Sequence, residues 1–179
     1  MHIALLSLGL LSSTPALAGT LEGVTLPDIA SVGGSQLVLN GMGLREKYFL
    51  DIYVGGLYLP EKTTDAGRAI GDDVPKRIVM HMVRDVPGER LAQTMREGLG
   101  RRAESSVSRH AETLAGWMED VGAGDEIVLE YVPGTGVSVL IKGTVKGTLP
   151  GVEVMRGLWS IYLGDAPPSV ALKEGLLGG

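Results

Sequence analysis

Three histidines, no cysteine and a scatter of carboxylates are what this 179-residue chain offers to acid–base or metal chemistry. Without cysteine there is no thiol nucleophile, disulfide or thiolate metal site. The sequence contains no phosphate-cradling glycine loop, no nucleophile elbow and no histidine pair at metal spacing. His2 falls in an N-terminal segment expected to be removed. His81 stands among methionines in a predicted strand, where a structural or surface role is expected. His110 lies between Val107 and Leu114 at helical spacing and shares their stripe. An imidazole in that place is either a boundary residue with one satisfied nitrogen or an axial ligand to haem iron, which needs one well-placed histidine in an apolar pocket. Among the carboxylates only Asp51 falls mid-strand, and a rim position accounts for it.

The stretch that must position any site is Leu39 to Pro60, LNGMGLREKYFLDIYVGGLYLP. Its run of Tyr, Phe, Ile and Val suits a pleated, buried surface and predicts a long central strand. Gly41-Met42-Gly43 is expected to turn the chain, so that Gln36 to Asn40 pairs with that strand as a hairpin. Gly55 and Gly56 inside a strand imply that a helix or a ligand lies close over the bare backbone.

Around this stretch, Thr20 to Leu26 reads as an edge strand and Pro27 to Ser35 as a loop. A short helix capped at Thr63-Thr64-Asp65 runs to Ile70. Lys76 to Val83 alternates as a strand with one wet face. One helix starts at Pro87-Gly88, with Leu91, Met95 and Leu99 on a stripe, and a second runs from Ser105 or Ser106 to Val121. Glu126 to Val132 and Val137 to Lys142 form a hairpin across Pro133 to Gly136. Gly143 to Leu149 predicts an edge strand. Two helices close the chain, one carrying Val154, Leu158, Ile161 and Tyr162, the other spanning Val170 to Leu177. The pattern is one α+β domain, residues 19–179, with an antiparallel sheet and helices gathered on one side.

Composition narrows the functional classes. A hydrophobic fraction of 44% with 21% charged residues is ordinary for a folded domain. The formal net charge of −5 and the lack of a basic run argue against nucleic acid or an anionic membrane surface as the main partner. Ile3 to Leu11 is apolar and uncharged, and Ala16-Leu17-Ala18 is the small-x-small pattern of a signal-peptidase site. Residues 1–18 are thus expected to be a cleaved secretory signal, with a periplasmic location and no membrane-spanning segment once it is gone.

The segment GMGLREKYFLDIYVGGLYLP, the PGTGV hairpin and the closing stretch from Leu158-Trp159-Ser160-Ile161-Tyr162-Leu163-Gly164 to Leu177 resemble the chalcone isomerase-like superfamily, in particular its bacterial secreted members. The resemblance covers essentially the whole chain after the signal. It implies an open-faced β-sandwich, a large antiparallel sheet with a helical layer, and a ligand cleft between the two. It further implies that Arg45 faces a ligand's anionic oxygen, that Tyr53 takes the place of the fatty-acid binders' tyrosine, and that Ser160 and Ile161 fall on the isomerases' specificity pair. The isomerases' tyrosine and asparagine would align near Leu91 and Gly98, which carry no such groups, so chalcone cyclisation is not expected.

These readings converge on a non-catalytic binding protein for an amphiphile such as a fatty acid. Arg45 and Tyr53 would hold the head, while Leu57, Leu91, Met95, Leu114, Leu158 and Ile161 line the tail, without a cofactor. Haem held by His110 and an isomerase acting on another substrate are the alternatives. A salt bridge to a nearby acid is the competing role for Arg45. Geometry sets one condition on the head group. Eight residues of straight strand span roughly 26 Å, so Arg45 and Tyr53 can clasp one carboxylate only if the chain bends or reverses between them.

Overall fold

The computed structural model describes residues 19–100 and 105–179; the expected signal at 1–18 lies outside them. Seven strands form one antiparallel meander in chain order: β3 (Ile29–Val32), β4 (Ser35–Lys47), β5 (Leu50–Leu59), β6 (Lys76–Met82), β7 (Glu126–Val132), β8 (Gly136–Ile141) and β9 (Thr144–Leu149). A separate hairpin, β1 (Gly19–Leu21) and β2 (Val24–Leu26), precedes them. The helices are α1 (Ala66–Gly71), α2 (Gly88–Gly100), α3 (Ser105–Ser108), α4 (Ala111–Trp117), α5 (Val152–Leu163) and α6 (Val170–Leu176). This is the α+β architecture expected, a large antiparallel sheet under a helical layer.

Period-two alternation gives the sheet two apolar faces. On the helix side Leu57, Ile78, Leu129, Val139 and Ile141 pack with Leu99, Leu114, Met155, Leu158 and Trp159. On the other side Val54, Tyr58, Val79 and Val128 pack beneath Val24 and Leu26 of the β1–β2 hairpin. Beyond that hairpin the outer face turns polar, with Arg77 paired to Glu130 at 2.9 Å and His81 to Glu126 at 3.1 Å. His81 thus belongs to a surface ladder.

Four expectations are corrected. Thr20 to Leu26 is not a single edge strand, since Gly19–Leu21 and Val24–Leu26 pair with each other as a hairpin apart from the seven-stranded sheet. Residues 27–35 are not all loop, since Ile29–Val32 pairs with β4. The second helix is broken: Ala111–Trp117 begins afresh after His110, and Val121 forms a bridge with Val86 instead of extending the helix. Most consequential, Gly41-Met42-Gly43 is no turn. β4 runs straight through it, and the chain reverses at Tyr48-Phe49, between the last paired residues Lys47 and Leu50.

The glycines serve close approach instead. A Cβ on Gly41 or Gly43 would strike backbone atoms of Gly175 or Leu172 in α6, and one on Gly175 would strike Met42. A Cβ on Gly55 would stand 3.0 Å from the Leu172 side chain. Helix α6 therefore rests backbone to backbone on β4, which only glycine on both sides permits. Buried Asn40 fixes the seam by donating to Leu176 O at 2.8 Å and accepting from Thr63 N at 2.7 Å. Of the two covers expected over Gly55, the structure supplies the helix.

Candidate ligand-binding site

The reversal at Tyr48-Phe49 removes the obstacle that spacing posed. Arg45 on β4 and Tyr53 on β5 are direct cross-strand partners, and Tyr53 in turn pairs with Met82 on β6. Directly opposed residues place their Cβ atoms roughly 5 Å apart, so Arg45, Tyr53 and Met82 make one row across three strands. The neighbouring row is Gly43, Gly55 and Met80. Helix α6 covers the two glycines of that second row and leaves the first uncovered.

Above the uncovered row lies a cavity of about 360 Å³, within the size range of small-molecule sites. Sheet residues Met80, Met82, Ile127 and Leu129 form its floor. Leu91, Thr94 and Met95 of α2, Leu114 of α4 and Ile161 with Tyr162 of α5 form the opposite wall. Helix α2 is held in position at its start, where Gly88 N donates to Asp120 Oδ1 at 2.8 Å. Its apolar stripe is thereby laid over the gap.

Charge is distributed unevenly along the lining. Arg45, Lys47, Arg84 and Arg90 line the mouth, against the single carboxylate of Asp85, which is already engaged by Ala123 N at 3.2 Å. In a chain of net charge −5 such a cationic rim favours an anionic guest over a neutral or cationic one. One Arg45 donor is taken by its neighbour Glu46 O at 2.5 Å; a guanidinium carries five. The competing role, a salt bridge from Arg45 to an acid, does not occur among the described residues.

Tyr53 supplies the other polar group. Burial holds its phenol well above the ordinary value of 10, the nearby Tyr162 adds to the shift, and Arg45 partly offsets it. The residue is half-buried as a whole, because one side of it faces the cavity. Among the described residues its hydroxyl has no hydrogen-bond partner, so it is a protonated donor available to a guest. The hydroxyl of Tyr162, by contrast, is spent on Met80 Sδ at 3.3 Å.

The structure brings together Arg45, Tyr53, Leu91, Met95, Leu114 and Ile161 in this lining. Leu57, Leu158 and Ser160 lie elsewhere. Leu57 and Leu158 are fully buried in the solid part of the core, and Ser160 Oγ donates to Arg156 O at 2.6 Å on the flank of α5. His110 occupies the N-cap of α4, half-buried, and is not a lining residue. Among the described residues no histidine reaches the cavity, so it offers haem iron no imidazole.

Sequence reading missed Met80, Met82, Ile127 and Leu129, although alternation along β6 and β7 puts them on the face of Ile78. It also missed Arg84 and Arg90, which come from a loop and a helix start and gather only in the fold. A second cavity of about 280 Å³, beside α1, is lined by Pro60, Thr63, Asp72 and Lys76 among others. Its smaller volume and the opposed charges of Glu61, Arg68, Asp72 and Lys76 in its lining make it the poorer site for an apolar guest.

Comparison with known proteins agrees with this architecture. The model of the family described as chalcone isomerase-like matches residues 18–178. Among solved structures, a fatty-acid binding protein of Arabidopsis thaliana superposes with a TM-score of 0.70 at 18% identity, covering 90% of this chain and 96% of that one. No curated protein matches the chain in sequence.

Proposed function

We propose, from the premise that the chain belongs to the chalcone isomerase-like family, that it is a binding protein for an amphiphile with an anionic head, most simply a fatty acid. The observation that carries this reading is the pairing of Arg45 with Tyr53 at the charged end of an otherwise apolar cavity. A guanidinium and a phenol donor side by side suit a carboxylate, the guanidinium supplying charge and the phenol direction. Burying ten or so methylenes at about 0.8 kcal/mol each exceeds what micromolar affinity requires after ordering costs. The fatty-acid binding neighbour, which shares the fold at low identity, supports the ligand class.

The reading includes no catalytic step. Where the isomerases' tyrosine and asparagine would align stand Leu91, an apolar wall residue, and Gly98, where a Cβ would stand 3.1 Å from Ile161. The expected signal at 1–18 makes the site of action periplasmic in this proposal.

Native mass spectrometry of the protein as isolated, followed by displacement of a fluorescent fatty acid by unlabelled chains, tests the function. A co-purified mass of an aliphatic acid, or saturable displacement by carboxylates at micromolar concentration, is expected. Absence of both, or equal displacement by alkylamines, would overturn it.

A further inference from the structure

The reversal between β4 and β5 is made in an unusual way. A two-residue hairpin loop of this kind needs positive φ at both positions and is normally given to Asn-Gly or Gly-Gly. Here Tyr48 and Phe49 fill it, at φ of 50° and 64°. A bulky side chain at positive φ is strained. The fold nevertheless holds two aromatics there and exposes them, Tyr48 by 83% and Phe49 by 96%, with Leu50 half exposed beside them.

Lys47 places its ammonium 5.6 Å from the centre of the Tyr48 ring, so cation and aromatic leave the tip together. The same tip borders the cavity, since Lys47, Tyr48 and Leu50 line its mouth alongside Arg45, Arg84 and Arg90. Glu46 and Asp51, paired across the hairpin, are not lining residues. The cations come from one strand, a loop and a helix, Arg45 and Lys47 on β4, Arg84 after β6 and Arg90 on α2, so the basic rim is invisible as a run in the sequence.

We propose that this tip is a membrane-docking element: Tyr48, Phe49 and Leu50 enter the headgroup region of an anionic bilayer while the cations of the rim meet its phosphates. The cavity then opens onto the membrane, and an amphiphile passes between bilayer and protein without crossing water. A bilayer fits better than a protein partner. Three side chains at a hairpin tip fall far short of the roughly 800 Å² per partner of a stable protein interface. Aromatic side chains flanked by cations are what an interfacial anchor requires. Among the described residues no helix is long and apolar enough to cross a membrane, and the contact proposed is that of the hairpin tip and the rim with the bilayer surface.

The passage of ligand rests on the function proposed above; the docking does not. Flotation with vesicles of phosphatidylethanolamine and phosphatidylglycerol, against vesicles of phosphatidylcholine alone, tests it. Wild-type protein is expected to float with the anionic vesicles, and less so as salt is raised. Phe49 is not a cavity residue, so Phe49→Asp should weaken partition about tenfold or more and leave displacement of a fluorescent fatty acid in vesicle-free buffer unchanged. Phe49→Trp should gain emission that brominated acyl chains quench. Flotation without fatty-acid binding would remove the proposed function and keep the docking. Failure of the wild-type protein to float with anionic vesicles, or equal flotation of Phe49→Asp, would overturn the docking and leave the tip to a protein partner.

Discussion

Replacing Tyr53 by Phe should weaken ligand binding while leaving the free protein intact, because the hydroxyl removed has no partner among the described residues. A hydrogen bond to a charged acceptor contributes about 1.5–3 kcal/mol net, which at 1.4 kcal/mol per decade corresponds to a loss of about 10- to 140-fold for a carboxylate. For an alcohol of the same chain length the bond is neutral, about 0.5–1.5 kcal/mol, and the loss about 2- to 12-fold. Calorimetric titration of wild type and Tyr53→Phe with dodecanoate and dodecanol separates the two. Burial holds the phenol protonated beyond its ordinary value of 10, so the dodecanoate effect should be flat from pH 6 to 9. The melting temperature of the ligand-free variant should stay level or rise. Equal losses for acid and alcohol would refute a charged head at Tyr53. A fall of more than about 4 °C, the equivalent of about 1–2 kcal/mol in a chain of this size, would show that the hydroxyl has a structural partner and would refute the premise.

Three other perturbations have definite outcomes. Arg84→Ala should weaken dodecanoate more than dodecanol, and raised salt should narrow the difference between wild type and variant; an equal effect on both ligands would remove Arg84 from the rim's work. Gly43→Val should cost about 3 kcal/mol or more in urea unfolding, since its clash is with the Leu172 backbone and no rotamer relieves it, whereas Gly116→Ala, in open space on α4, should stabilise by about 0.5–1 kcal/mol. Lys76 is fully buried, its Nζ donating to Ala69 O at 2.8 Å, and burial pushes it down to about 8 against the pull of Asp72 and Asp73. Below pH 8 the folded chain carries a buried charge at a cost, and from pH 8 towards 10 only the unfolded state still binds that proton, so stability should rise. Above pH 10 it should fall again, as Tyr58 and Tyr131, pushed up to about 12 by burial first, keep protons that the unfolded state releases. Lys76→Met should abolish the rise, as followed by urea midpoints across that range.

The sequence made most elements legible because their signals were local. Alternation marked β6 and the β7–β8 hairpin, and Asp65 caps α1 by accepting from Arg68 N at 3.1 Å, as its position before that helix implies. It failed where a residue's usual local meaning was overridden by a distant contact. Gly41-Met42-Gly43 reads as a turn, but the glycines are there for α6, more than a hundred residues away in the chain. Tyr48-Phe49 reads as strand interior, yet it is the turn. These two errors are one, because moving the reversal from residue 42 to residue 48 turns Arg45 and Tyr53 from remote positions on one strand into neighbours on two. The helix break at His110 was hidden for another reason: Val107 and Leu114 keep helical spacing across it, so periodicity alone could not show that the chain restarts.

The same arrangement explains why the chain can keep a cavity and still be well packed. The gap between sheet and helices is closed at one end by glycine, where α6 settles onto the backbone of β4, and by Leu57, Leu158 and Trp159, all buried. At the other end the row of Arg45, Tyr53 and Met82 has full-sized side chains and no helix seated on it. The head-group pair Arg45 and Tyr53 therefore stands clear of the glycine seam, whereas floor residues such as Met80 and Leu129 share rows with the seam and the core and serve both packing and binding. Four of the chain's seven methionines, Met80, Met82, Met95 and Met118, line that open end. Their unbranched side chains adapt to irregular shapes. The polar row is fixed by strand register and the apolar walls are deformable, so selection should act on the charge of the head and be lenient about the length and branching of the tail.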